Sequence, residues 1–170
     1  MKKENRKTLR AAGAKTVKRL LALAGCLFFL AAGKAEPVSY GTVTVDSACV
    51  CLDLGAEVIE DWDGFCAFLS RLPQVRQVDL YATKVSGTEA QRLTARFPEI
   101  DFGMTLRFAE HEIRTDATAF STLHTSHSPQ HREEDFSVLR FCPSLMALDL
   151  GHNRLTRLDF LNDLPELRVL

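Results

Sequence analysis

Leucines recur at fixed intervals toward one end of this chain: Leu145, Leu148, Leu150, Leu155 and Leu158, with Asn153 between the third and the fourth. The approach to that run repeats. Cys142-Pro143-Ser144-Leu145-Met146-Ala147-Leu148 returns as Leu164-Pro165-Glu166-Leu167-Arg168-Val169-Leu170, a period of 22 residues. Self-similarity at such a period marks a supersecondary unit too small to bury its own apolar face, so each copy needs a neighbour to cover it.

Looser echoes stand upstream. Leu72-Pro73-Gln74-Val75 leads into Val78-Asp79-Leu80, and Phe97-Pro98-Glu99-Ile100 repeats the entry. The prolines at 73, 98, 143 and 165 lie 25, 45 and 22 residues apart, and the longest gap has room for two units, with a strand expected near Ala119 to Leu123. Cys51-Leu52-Asp53-Leu54 supplies another strand, 26 residues before the one at Leu80. Helical stretches separate these strands. Ser86 and Glu89 form a capping box ahead of Gly87 to Phe97, where Ala90, Leu93 and Phe97 share a face and Pro98 ends the helix. Trp62, Phe65, Phe68, Leu69 and Leu72 repeat the spacing up to Pro73, as do Phe136, Leu139 and Cys142 up to Pro143. Alternation from Met104 to Phe108 and the polar turn Glu110-His111-Glu112 predict a hairpin over 102–114, projecting from the array.

The spacing over 142–170 resembles the leucine-rich repeats of bacterial secreted and cell-surface proteins, especially the 22-residue class found in internalins. That resemblance implies an α/β fold, a leucine-rich repeat solenoid with a parallel sheet. Residues 36–133 would be a divergent, irregular N-terminal half, and 134–170 regular repeats. Because the repeat stops inside a strand at Leu170, a longer array or self-association is expected. The resemblance also gives structural roles to Leu145, Leu148, Leu150, Asn153, Leu155 and Leu158, with Asn153 bonding the backbone of adjacent turns. Strand residues between the leucines would face the concave surface: Asp53, Asp79, Tyr81, Ala147, Asp149 and His152. Three carboxylates there predict a cationic ligand, such as a basic peptide or amino sugar, with Tyr81 as an aromatic contact.

Residues 1–35 have a different character. Eight Lys or Arg fall between Met1 and Arg19, Leu20 to Gly33 carries no charge, and Gly33-Lys34-Ala35 offers a small-x-small exit. This order predicts a secretory signal peptide cleaved after Ala35, and hence a secreted or cell-surface protein. Fourteen helical residues rise only ~21 Å against a hydrocarbon core of ~30 Å. Membrane contact is therefore expected only through this segment, if it is retained or lipidated at Cys26 within Leu23-Ala24-Gly25-Cys26. Removing its nine basic residues and one acid from totals of 21 and 22 leaves 12 against 21, a net of −9. Such a remainder repels phosphate backbones and argues against a nucleic-acid partner.

The chemistry-bearing residues are few. Cys49, Cys51, Cys66 and Cys142 remain after processing, and small buried thiols are the expected fate of most of them. His124-x-x-His127-x-x-x-His131 gathers three imidazoles in eight residues, which makes a secreted metal-dependent hydrolase using this His-rich loop the rival reading. The flanking Thr125-Ser126-His127-Ser128-Pro129-Gln130 has surface-loop composition, so solvated loop histidines, and neither metal nor cofactor, are expected. No G-x-S-x-G elbow, H-E-x-x-H helix, P-loop or G-x-G-x-x-G turn occurs. Arg114 and Asp116 are expected to pair. The sequence thus predicts an exported, non-catalytic module that binds a protein or another surface ligand, or else a purely structural part of a larger surface protein.

Overall fold

A computed structural model of the chain describes residues 36–122 and 129–170. The predicted signal segment and the loop histidines His124 and His127 lie outside the described residues. The described chain opens with an antiparallel hairpin, β1 (Pro37–Tyr40) and β2 (Val43–Asp46), turned at Gly41, whose φ of +55° suits a residue without a Cβ. Next come β3 (Cys51–Asp53), α1 (Trp62–Leu69), β4 (Gln77–Ser86), α2 (Gly87–Arg96), β5 (Asp101–Phe108) and β6 (His111–Arg114). They form a four-stranded sheet in the order β3-β4-β5-β6, parallel for the first three strands and antiparallel at β6.

The helices start where side chains satisfy open backbone donors. Asp61 accepts from the amide of Gly64 at 2.9 Å at the head of α1, and Ser86 accepts from the amide of Glu89 at 3.2 Å at the head of α2. Tyr40 ties β1 to the first of these caps, its hydroxyl donating to the carbonyl of Asp61. α1 buries Phe65, Cys66, Phe68 and Leu69, and α2 buries Ala90 and Leu93 while packing on β4 and β5. Strand alternation turns Val78, Leu80, Met104 and Leu106 into the same core.

The leucine-rich repeat solenoid expected from the sequence is not what this chain builds. The parallel sheet stops at β5, because Ala109 adopts φ +48° and turns the chain back as β6 along the edge a next repeat would have needed. The segment 102–114 does form a hairpin, β5 and β6 pairing antiparallel about the Ala109 turn, but it lies within the sheet instead of projecting from it. β5 is an inner strand, paired on both sides. Parallel pairing restarts separately with β7 (Ala119–Ser121) and β8 (Ala147–Asp149). These are joined by a single-turn α3 (Glu133–Phe136) and a 3₁₀ turn at Ser137–Phe141, with a further 3₁₀ turn at Asp159–Asp163. One bridge, Ala147 to Val169, follows β8. Among the described residues the result is a mixed α/β fold of small sheets, both parallel and antiparallel, with three α-helices.

Candidate functional site

Register and a missing Cβ shape a polar recess on the four-stranded sheet. Asp53 pairs with Asp79, and Asp79 with Gly103, so the three positions run across β3, β4 and β5 in one row. On β4 the odd-numbered Gln77, Asp79 and Tyr81 face away from the buried Val78 and Leu80. Gly103 lets two of those side chains lie down over β5. A Cβ there would sit 2.4 Å from Oδ1 of Asp79 and 2.6 Å from the hydroxyl of Tyr81. After Leu80 the β4–β5 register slips and resumes at Lys84 with Thr105, and Thr105 donates to the carbonyl of Tyr81 at 2.8 Å.

Arg114 closes this arrangement from β6. Its guanidinium carbon stands 3.7 Å from the centre of the Tyr81 ring. Two parallel hydrogen bonds, Nε to Oδ1 and Nη2 to Oδ2 of Asp116 at 2.9 and 2.7 Å, fix its plane. The hydrogen bonds from Arg114 hold the Asp116 carboxyl below its ordinary range. Burial and then the charge of Asp116 push the Tyr81 phenol up, so it stays protonated well past neutrality. Asp79, Asp101 and Asp116 line the recess with Gln77, Arg114 and Tyr81, around about 450 Å³ of space.

The other residues singled out in the sequence divide between two places. Asp53, Asp79 and Tyr81 share the first sheet, but Asp53 spends Oδ1 on the amide of Gly55, and Tyr81 presents a ring face to Arg114 rather than to solvent. Asp149 lies in the second sheet, where it accepts from Ser121 Oγ at 3.2 Å and from the Gly151 amide at 3.0 Å. His152 is not a strand residue: it occupies the turn after β8 with φ +64°. The expected single concave row of aspartates is thus divided, because β6 ends the first sheet before β7 begins the second. Leu145, Leu148 and Leu150 are buried, Leu155 is half-buried, and Leu158 is exposed at the head of a 3₁₀ turn. Asn153 accepts from the His131 amide at 3.0 Å and donates to the carbonyl of Leu150 at 3.0 Å.

His131 is not a solvated loop residue. It is buried, its Nε2 stands 2.9 Å from Oε1 of Glu110, and its ring centre lies 5.2 Å from that of His111. Burial works to raise the Glu110 carboxyl, but the His131 hydrogen bond prevails and holds it below the usual carboxylate range. One potential ligand atom from each of Glu110, His111 and His131 falls within 4.8 Å of the others. Sequence reasoning grouped His131 with His124 and His127, its neighbours in the chain. The partners seen here come from the β5–β6 turn, 20 residues upstream, and only the antiparallel return of β6 delivers them.

The four cysteines of the described residues are free thiols. Cys51 is exposed and Cys49 half-buried, whereas Cys66 and Cys142 are wholly enclosed, and burial pushes the Cys142 thiol up to about 12. Among the described residues no helix is long and apolar enough to cross a membrane. Set against family models, curated proteins and solved structures, the chain matches none of them.

Proposed function

We propose that residues 36–170 are a non-catalytic recognition module of an exported protein, taking a cationic group of a protein or other surface ligand into the recess over Gly103. The observation that carries this reading is the charge balance of that recess. Three aspartates line it, and its one cation, Arg114, is already neutralised through two hydrogen bonds to Asp116. Asp79 and Asp101 are left as the surplus negative charge. A guanidinium or ammonium group entering beside them gains charge-assisted hydrogen bonds without displacing a resident cation.

The net charge of −9 over the same residues supports the reading, since it draws positively charged partners from a distance. Export remains part of the proposal and rests on the basic and apolar order of residues 1–35. A non-catalytic role fits the lining. Its hydroxyl side chains, Thr115, Ser144 and Tyr81, have no imidazole among the lining residues to activate them.

Titration with a lysine- and arginine-rich peptide, followed calorimetrically at low and moderate salt, tests the proposal. Binding is expected for the natural chain, and Asp79→Asn with Asp101→Asn should weaken it by about tenfold, or ~1.4 kcal/mol, with a shallower salt dependence. Equal affinity in both proteins, or equal binding of an acidic peptide, would remove the recess from consideration.

A further inference from the structure

We propose that Glu110, His111 and His131 form a binding site for a divalent transition-metal ion, zinc foremost, which joins the β5–β6 turn to the segment leading into α3. The site is separate from the recess over Gly103 and does not depend on that reading. Its geometry starts at Ala109, whose left-handed backbone brings Glu110 and His111 round at the start of β6. His131 approaches from the other side with its backbone held at both ends. Its amide donates to Asn153 Oδ1 at 3.0 Å, and its carbonyl accepts from the Arg154 amide at 2.9 Å.

The donor set selects the ion. Two imidazoles and one carboxylate form a borderline nitrogen-and-oxygen set that suits zinc and its neighbours, whereas magnesium and calcium favour oxygen ligands throughout. Zinc bonds nitrogen and oxygen at about 2.0–2.2 Å, so tetrahedral ligand atoms stand roughly 3.3–3.5 Å apart. Here Nε2 of His131 and Oε1 of Glu110 are 2.9 Å apart, and all three potential ligand atoms lie within 4.8 Å of one another. Small side-chain rotations reach the tetrahedral spacing.

The surroundings match what such an ion requires. Oδ2 of Asp135 lies 3.7 Å from Nδ1 of His131, on the ring edge away from Glu110. Without metal, Nε2 donates its proton to Glu110; an ion would displace that proton, and the Asp135 carboxylate favours the Nδ1–H tautomer that coordination through Nε2 requires. Phe108 and Phe120 flank His111 at 5.7 and 5.6 Å between ring centres, and Phe136 stands 6.0 Å from His131. These rings exclude water from one side and hold the imidazoles in place. The Glu110 side chain, 44% exposed, leaves the other side open for an ion to enter. Three protein ligands with water in the fourth position is an arrangement zinc adopts readily.

The test uses the whole chain, stripped with a chelator, in a Cys49→Ser/Cys51→Ser background that removes the accessible thiolates. Zinc or cobalt(II) alone is the probe. One equivalent should bind with a dissociation constant below about 10 μM, raise the thermal midpoint, and, for cobalt, give the visible absorption of a tetrahedral ion. His131→Ala risks unfolding a buried position, so Glu110→Gln and His111→Ala carry the assignment. Each should weaken binding by at least about tenfold with the metal-free midpoint little changed, and Asp135→Asn should weaken it less. Absence of stoichiometric binding at about 100 μM metal would overturn the proposal. So would binding indifferent to Glu110→Gln and His111→Ala, or binding abolished by His124→Ala/His127→Ala alone.

Discussion

At the residue scale, Gly103 does the most with the least. Its φ needs no special residue; what the position lacks is room, because Asp79 and Tyr81 occupy the volume a Cβ would take. Gly103→Ala therefore does not strain the backbone but lifts both side chains off β5 and separates Tyr81 from the guanidinium above it. We expect a loss of about 1–3 kcal/mol, as for other insertions into a filled site, together with loss of the cationic-peptide binding. Urea denaturation and the same calorimetric titration measure the two effects. A variant as stable as the parent, with unchanged affinity, would mean that the Asp79–Tyr81–Arg114 stack organises nothing. Part of this site was legible: Asp79 and Tyr81 stand two apart on a strand, which places them on one face of any sheet. Arg114 and Gly103 were not, because no local pattern reveals that β6 pairs beside β5 and sends the Arg114 side chain across to Tyr81, or that a glycine in β5 pairs with an aspartate in β4.

At the element scale, the helices could be read and the sheets could not. α2 announces itself through Ser86, the spacing of Ala90 and Leu93, and Pro98, all within a dozen residues. Local chemistry of that kind survives whatever the fold does around it. Ser86 satisfies one open donor at the junction of β4 and α2, so Ser86→Ala should cost about 1 kcal/mol by chemical denaturation with an unchanged slope. A cost below about 0.3 kcal/mol would show that packing of Ala90 and Leu93 holds the junction without the cap. Strand pairing depends on distant partners instead. The run from Met104 to Phe108 reads as one arm of a hairpin, which it is, yet the same alternation serves equally for an inner strand, and β5 is both. The turn that ends the parallel sheet sits on Ala109, a residue with no preference for positive φ, so no glycine or asparagine marks the place. The 22-residue period likewise gave no warning, since it describes 142–170 and says nothing about what β7 would find as its neighbour.

At the scale of the whole molecule, the separation of the four-stranded sheet from the β7–β8 pair predicts a division of stability. β4 and β5 are inner strands whose Val78, Leu80, Met104 and Leu106 are essentially inaccessible, and α2 packs directly on them. The second sheet has two three-residue strands and the single bridge to Val169, itself 61% exposed. Amides opening from native proteins do so in cooperative units whose free energies follow local burial. Hydrogen exchange should therefore place the β4 and β5 amides at the free energy of global unfolding. The amides of Leu148 and Val169, which donate to Val169 and Met146, should exchange through an opening at least about 2 kcal/mol cheaper. The metal site gives this experiment a second arm. Glu110 and His111 follow β5, whereas His131 is bonded to Asn153 beyond β8, so an ion held by all three would link the two sheets directly. Zinc should then narrow the difference in protection, slowing Leu148 and Val169 more than the strands of the first sheet. Uniform protection without metal would show that the sheets open as one unit, and the β6 return would then be a detour in the chain path rather than a boundary in the energetics.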